Sequence, residues 1–158
     1  MILIKFNKEQ AQMWNEITDS KALKDFWEKV DFFHDSCIKE LKYLSGAYVD
    51  KDLSMYPING QRVLNIIIQR QSENMPMIEM EFRGLKYLKL FPVDDRYTCE
   101  ILDSTMILKD GCIYWCDCGG VSETNLDAYN GTMICALGLR WRVIDNCMGE
   151  KEFFVSIK

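Results

Sequence analysis

Met133-Ile134-Cys135-Ala136-Leu137-Gly138-Leu139-Arg140-Trp141-Arg142-Val143 is the stretch on which the reading of this chain turns. Met133, Cys135, Leu137, Leu139, Trp141 and Val143 recur at every second position, with Gly138, Arg140 and Arg142 between them. A period of two marks a half-buried strand, because successive side chains of extended backbone point to opposite faces. The pattern predicts one dry face and one wet face, with Arg140 and Arg142 projecting together from the wet one.

Working outward, the same period governs most of the chain after Ser36. Ile78, Met80 and Phe82 alternate with Glu79, Glu81 and Arg83, predicting a second strand of this kind. Gly84 is expected to turn the chain into a further run carrying Leu88 and Leu90, which Pro92 and Asp94-Asp95 end. Leu64, Ile66 and Ile68 define one apolar face while Val63 and Ile67 make the other apolar too, the composition of a central strand; Met75-Pro76 interrupts it. Tyr97, Cys99 and Ile101, then Leu102, Met106 and Leu108, predict two extended pieces of different phase. Asp110-Gly111 predicts a tight hairpin before Ile113-Tyr114-Trp115, since both residues tolerate positive φ. Residues 119–131 are polar and aperiodic, the expected long loop, and Glu152 to Ile157 would supply a closing strand.

Before Ser36 the period is that of a helix. Met1 to Phe6 would form a short edge strand, and Asn7 with Gln10 would cap a first helix carrying Met13, Trp14 and Ile17. Asp19-Ser20 opens a second, with Leu23, Phe26, Trp27 and Val30 at spacings of three and four. The expected fold is a single α+β domain over residues 1–158, mostly helical over 1–35 and mostly strand over 36–158. Two short N-terminal helices would pack on a curved, mainly antiparallel meander sheet, bent enough to be barrel-like. Helices and strands do not alternate and no Gly-rich phosphate loop occurs, which argues against a doubly wound nucleotide fold.

Composition narrows the function classes. A net charge of −5 disfavours binding to a phosphate backbone and suits steering toward a basic partner. No apolar run reaches the ~18 residues that span a bilayer, and Met1-Ile2-Leu3-Ile4-Lys5 lacks the features of a secretory leader, so a cytoplasmic protein with no membrane role is expected. Seven cysteines, Cys37, Cys99, Cys112, Cys116, Cys118, Cys135 and Cys147, are an odd number in a chain large enough to fold on its core, and fit reduced thiols.

Several residues invite a chemical reading, each against a plainer one. His34 is the only histidine, so proton transfer near neutrality would converge on it, with Asp35, Glu79 or Glu81 orienting the ring. The plainer reading has its ring N–H cap a backbone carbonyl while Phe33 plugs the core, and it is favoured because no nucleophile or second histidine accompanies it. Cys112, Cys116 and Cys118 would ligate zinc only if a turn after Asp117 gathers them; a straight strand spaces same-face positions ~6.6–7 Å apart, too far for sulfurs around one tetrahedral ion. Otherwise they are small buried hydrophobes. Glu79 with Glu81, Asp50 with Asp52, and Asp94 with Asp95 are acidic pairs, read first as wet-face and turn residues. Arg140 and Arg142 would grip a carboxylate or phosphate, or pair with Glu79 and Glu81 across the sheet. Glu123, Asp127 and Tyr129 on the long loop are candidate recognition residues.

Phe33, His34, Asp35, Ser36 and Ile38, ahead of a strand-rich region, resemble a group of small bacterial proteins with a Phe-His-Asp motif, among them immunity-protein-like domains of polymorphic toxin systems. The resemblance implies a bacterial, non-catalytic binding module that holds a protein partner, such as a basic toxin-like protein, with no cofactor. Read from their strand and loop positions rather than from the resemblance, its binding residues would be Arg140, Arg142, Tyr129, Glu123 and Asp127. The alternative is a hydrolytic or metal-dependent enzyme centred on His34 and Asp35. Oligomeric state is left open by the sequence.

Overall fold

A computed structural model describes residues 13–145 and 148–150. In chain order the elements are β1 (Asn15–Ile17), α1 (Ser20–Lys29), a 3-10 turn (Asp31–Phe33), β2 (Ser36–Leu44), β3 (Tyr48–Val49), β4 (Met55–Tyr56), β5 (Val63–Arg70), β6 (Met77–Lys89), β7 (Thr105–Lys109), β8 (Cys112–Cys116) and β9 (Met133–Val143). The strand, cap and cysteine expected at Met1–Phe6, Asn7 with Gln10 and Cys147, and the strand at Glu152–Ile157, lie outside the described residues.

Seven strands form one antiparallel sheet in the order β2-β5-β6-β9-β8-β7, with β1 also pairing β9. β6 runs along one edge of β9, while β8 takes Met133–Ala136 and β1 takes Leu139–Trp141 on the other. The sheet is open, ending in β2 and β7, so it is not a barrel. Nor is it a plain meander: β9, the last of the described strands, lies between β6 and β8.

Among the described residues only the second expected helix is present. Asp19 caps α1 by accepting the Ala22 N–H at 2.8 Å, which satisfies one of the free donors of its first turn. Leu23 and Phe26 form its buried stripe. The segment with Met13, Trp14 and Ile17 is instead extended, pairing Asn15, Glu16 and Ile17 with Trp141, Arg140 and Leu139. A strand-pairing partner outweighs a helical period only a few residues long.

Ring packing joins α1 to the sheet. Phe26 stacks on Trp141 with centroids 4.6 Å apart, and Phe33 meets Phe26 and Trp115 edge to face at 5.9 and 6.4 Å. Around them lie Leu64, Ile66, Ile68, Ile78, Met80 and Phe82, all fully buried, so the predicted dry faces of β5 and β6 form the core. The Asp110-Gly111 hairpin forms as expected, with φ of 51° and 73°.

Two expectations fail at one place. Gly84 does not turn the chain: β6 continues for 13 residues through it, at φ +63°. A Cβ on Gly84 would come within 3.1 Å of Leu137 and would have to be held at positive φ, so glycine is the residue that fits this close crossing without strain. Opposite this point the phase of β9 slips. Leu139 and Trp141 face the main core, but Ile134 and Ala136 continue that face, while Met133 joins a second cluster with Cys116 and Leu126 and Leu137 is half exposed. A bulged pair flips side chains to the other face, as the register shift between Leu85 and Tyr87 also records.

Candidate functional site

The wet face of β6 and β9 carries a closed set of ion pairs. Register sets Glu79 opposite Arg142 and Glu81 opposite Arg140. Arg142 Nε donates to Glu79 at 2.6 Å and Arg140 Nε to Glu81 at 2.8 Å. Trp14 lies over both guanidiniums, 4.4 and 4.3 Å from its ring centroid, and Arg83 pairs with Glu16 of β1. Asn65 donates to Glu79 at 3.1 Å. The two arginines are thus engaged by carboxylates on one side and an aromatic face on the other, which leaves their charge largely spent within the sheet.

Residues 117–132 cover the other side of β8 and β9. Tyr129 Oη donates to Asp117, whose same oxygen accepts the Thr132 N–H at 3.1 Å, and Lys89 Nζ donates to the Tyr129 carbonyl. A Cβ on Gly131 would lie 2.2 Å from the Tyr129 hydroxyl, so any larger residue there would displace the ring or its Asp117 partner. Burial and the Asp117 carboxylate push the Tyr129 hydroxyl well above its ordinary value. Tyr129 is a structural post, whereas Glu123 and Asp127 stay exposed on the loop.

Around His34 the backbone is strained. Asp31, Phe32 and Phe33 have φ of 48°, 53° and 58°, one turn wound left-handed, and Asp35 follows at 52°. Side chains other than glycine disfavour this region by roughly 1–2 kcal/mol per residue. The surroundings impose it: Phe33 is wholly buried, Phe32 packs edge to face on Trp27 at 4.9 Å, and Ser104 Oγ donates to the Phe32 carbonyl at 2.7 Å. His34 itself is exposed, and its Nδ1 lies 3.0 Å from the Asp35 carboxylate rather than on a backbone carbonyl. Phe33 does plug the core; the imidazole does not cap it. Glu79 and Glu81 are committed to the arginines and do not orient the ring.

The six described cysteines are free. Cys116 is buried, Cys112 half-buried and Cys118 exposed, and among the described residues no three His, Cys, Asp or Glu side chains are grouped to hold a metal ion. Burial, then the nearby Asp117 and Cys118, push the Cys116 thiol up to about 12 from 9.0. Between those two values the unfolded chain has lost a proton that the folded chain keeps, so stability is present below pH 9.0 and declines as pH rises toward about 12. The slope approaches ~1.4 kcal/mol per pH unit for one group. Urea midpoints should therefore fall from pH 8 to about pH 10.5, less steeply in Cys116→Ala; equal slopes in the two proteins would refute this assignment.

One surface was not read from the sequence. Between β2 and β5, strands β3 and β4 form a separate two-stranded ribbon with Tyr48 opposite Tyr56 and Val49 opposite Met55. The two tyrosine rings stack at 4.7 Å. At its tip Asp50 and Asp52 are turn residues: Asp52 accepts the Ser54 N–H at 2.9 Å, which holds its carboxyl below the usual range, and Asp50 accepts the Lys51 N–H at 2.7 Å. Leu53, Ile58 and Met55 are 82%, 74% and 68% exposed, and Tyr43, Leu44, Tyr48, Val49 and Tyr56 are about half exposed. Among the described residues, eight of the seventeen exposed large hydrophobic side chains fall within this one stretch of chain, residues 43–58. The signal was there: Tyr48, Val49, Leu53, Met55, Tyr56 and Ile58 are too many apolar residues for an 18-residue connection with no core to join.

Comparisons of the chain with protein-family models, with curated proteins and with solved structures yield no match.

Proposed function

We propose that this chain is a non-catalytic, cytoplasmic protein-binding module of the immunity-like kind implied by the Phe-His-Asp resemblance, and that its ribbon is the contact arm. The exposed apolar surface of β3 and β4 carries the reading. A concentration of exposed apolar side chains such as this marks a protein-interaction site, and tyrosine and methionine are enriched at such sites. The partner has an apolar cleft for the stacked Tyr48–Tyr56 pair and a basic rim, because the arm ends in Asp50 and Asp52 and the chain carries a net charge of −5.

Copurification from the native cell in mild salt should recover a stoichiometric basic protein. Tyr48→Ser combined with Met55→Ser should weaken its binding by at least about 100-fold, since buried aromatic anchors are each worth ~2 kcal/mol or more. Both positions lie outside the core, so the melting temperature should hold. Recovery of free chain alone, or a partner retained by the double variant, would overturn the proposal.

A hydrolase centred on His34 and Asp35 is the second reading, favoured by the 3.0 Å contact between their side chains. It predicts that His34→Ala abolishes a hydrolytic turnover while leaving partner recovery intact, so the two readings part on one variant.

A further inference from the structure

A hollow of about 610 Å³ lies where the start of β2, the end of β5 and residues 97–100 meet, and its walls include Asp35, Cys37, Arg70, Tyr97, Glu100 and Met148. Its size is that of small-molecule sites, which run from roughly 300 to 1,000 Å³. Arg70 is the unusual wall. It is only 7% exposed, and its Nη1 donates to the carbonyls of Asn74 and Met75 at 2.9 and 3.0 Å. Its Nε is buried and donates to nothing, and among the described residues no carboxylate is recorded in an ion pair with it. Burial pulls its pKa below the ordinary value, and Asp31 opposes this only through space.

A guanidinium taken out of water without a contact anion costs several kcal/mol. Its planar fork matches a carboxylate better than any other common group. The backbone that holds it is also strained: Met75, whose carbonyl takes Nη1, has φ 53°, and Asp35, whose carbonyl accepts the Gln71 N–H at 2.9 Å, has φ 52°. Such outliers persist where the fold needs a side chain or carbonyl held against its preference, and ligand sites are where they gather. The remaining walls carry the opposite sign. Glu100 is exposed and Asp35 is half-exposed, so a simple anion would meet repulsion on entering. Tyr97 and Met148 add apolar surface.

We propose that this hollow binds a free amino acid with an apolar side chain, its carboxylate on Arg70, its ammonium toward Glu100 and its side chain against Tyr97 and Met148. One small zwitterion satisfies both signs of charge where neither a plain anion nor a plain cation does. The site is separate from the ribbon and stands whether or not the ribbon binds a protein.

Titration calorimetry of the full chain with L-leucine, N-acetyl-L-leucine and L-leucinamide tests it. L-Leucine should bind and raise the melting temperature. The acetylated compound lacks the ammonium and the amide lacks the carboxylate, so each should bind at least about tenfold more weakly, a loss of ~1.4 kcal/mol. Glu100→Gln, at an exposed position, should fold normally and weaken L-leucine by about tenfold while narrowing its advantage over N-acetyl-L-leucine. Absence of any L-leucine binding, equal binding of the three compounds, or an unchanged affinity in Glu100→Gln would each overturn the proposal.

Discussion

Phe33→Ala is expected to lower the stability of this domain by about 3–5 kcal/mol, the usual loss for a wholly buried aromatic ring. Phe33 is fully buried between Phe26 of α1 and Trp115 of β8, so its removal opens a void between the helix and the sheet. It also removes the contact that makes the left-handed turn at Asp31–Phe33 worth its strain. Relaxation of that turn would return part of its strain, so the loss should not exceed this range, and α1 should exchange its amide hydrogens faster than β5 and β6. Phe33→Leu keeps an apolar plug and should cost only about 1–2 kcal/mol. Urea unfolding followed by circular dichroism checks both. An alanine variant within 1 kcal/mol of the parent would mean that the helix is held by something other than this ring.

Arg142→Met should cost about 2–4 kcal/mol, because it strands a carboxylate instead of merely deleting a contact. Glu79 is 8% exposed and would keep only the Asn65 amide at 3.1 Å. Removing the carboxylate as well should recover most of that loss: the double variant Glu79→Met with Arg142→Met should lie within ~1 kcal/mol of the parent, since apolar side chains of similar length can replace a shielded ion pair. The difference between the double variant and the sum of the singles measures the pair itself. Strict additivity would show that the 2.6 Å contact between Arg142 and Glu79 contributes nothing beyond the two side chains taken separately.

The alternation in β5 and in the first half of β6 was legible because burial of one face leaves a period of two that any reader of the chain can count. Gly84 was not legible as a mid-strand residue, since glycine at positive φ serves a turn and a bulge equally well, and only the approach of Leu137 tells them apart. Trp14 and Ile17 read as helical for a similar reason. Three apolar residues fit either period, and what decided was the free edge of β9 beside Trp141 and Leu139. Among candidate site residues, the pairing of Arg140 and Arg142 with Glu79 and Glu81 was foreseeable as one of two options, because same-face charges on neighbouring strands must meet or repel. The buried, uncompensated Arg70 was not foreseeable, because its position at the end of a strand looks like any solvated arginine.

Sequence alone determined that the chain would be a mostly antiparallel sheet with a helical cover, and which faces of β5 and β6 would be dry; these follow from side-chain polarity repeating along a local backbone. Tertiary structure alone decided that β9 inserts between β6 and β8, that a ribbon stands out from the sheet with its apolar side chains exposed, and that Arg70 lines a hollow with no carboxylate of the described residues paired to it. Those features depend on which distant segments come to lie side by side, and a pairing between residues tens of positions apart leaves no periodic mark on either one.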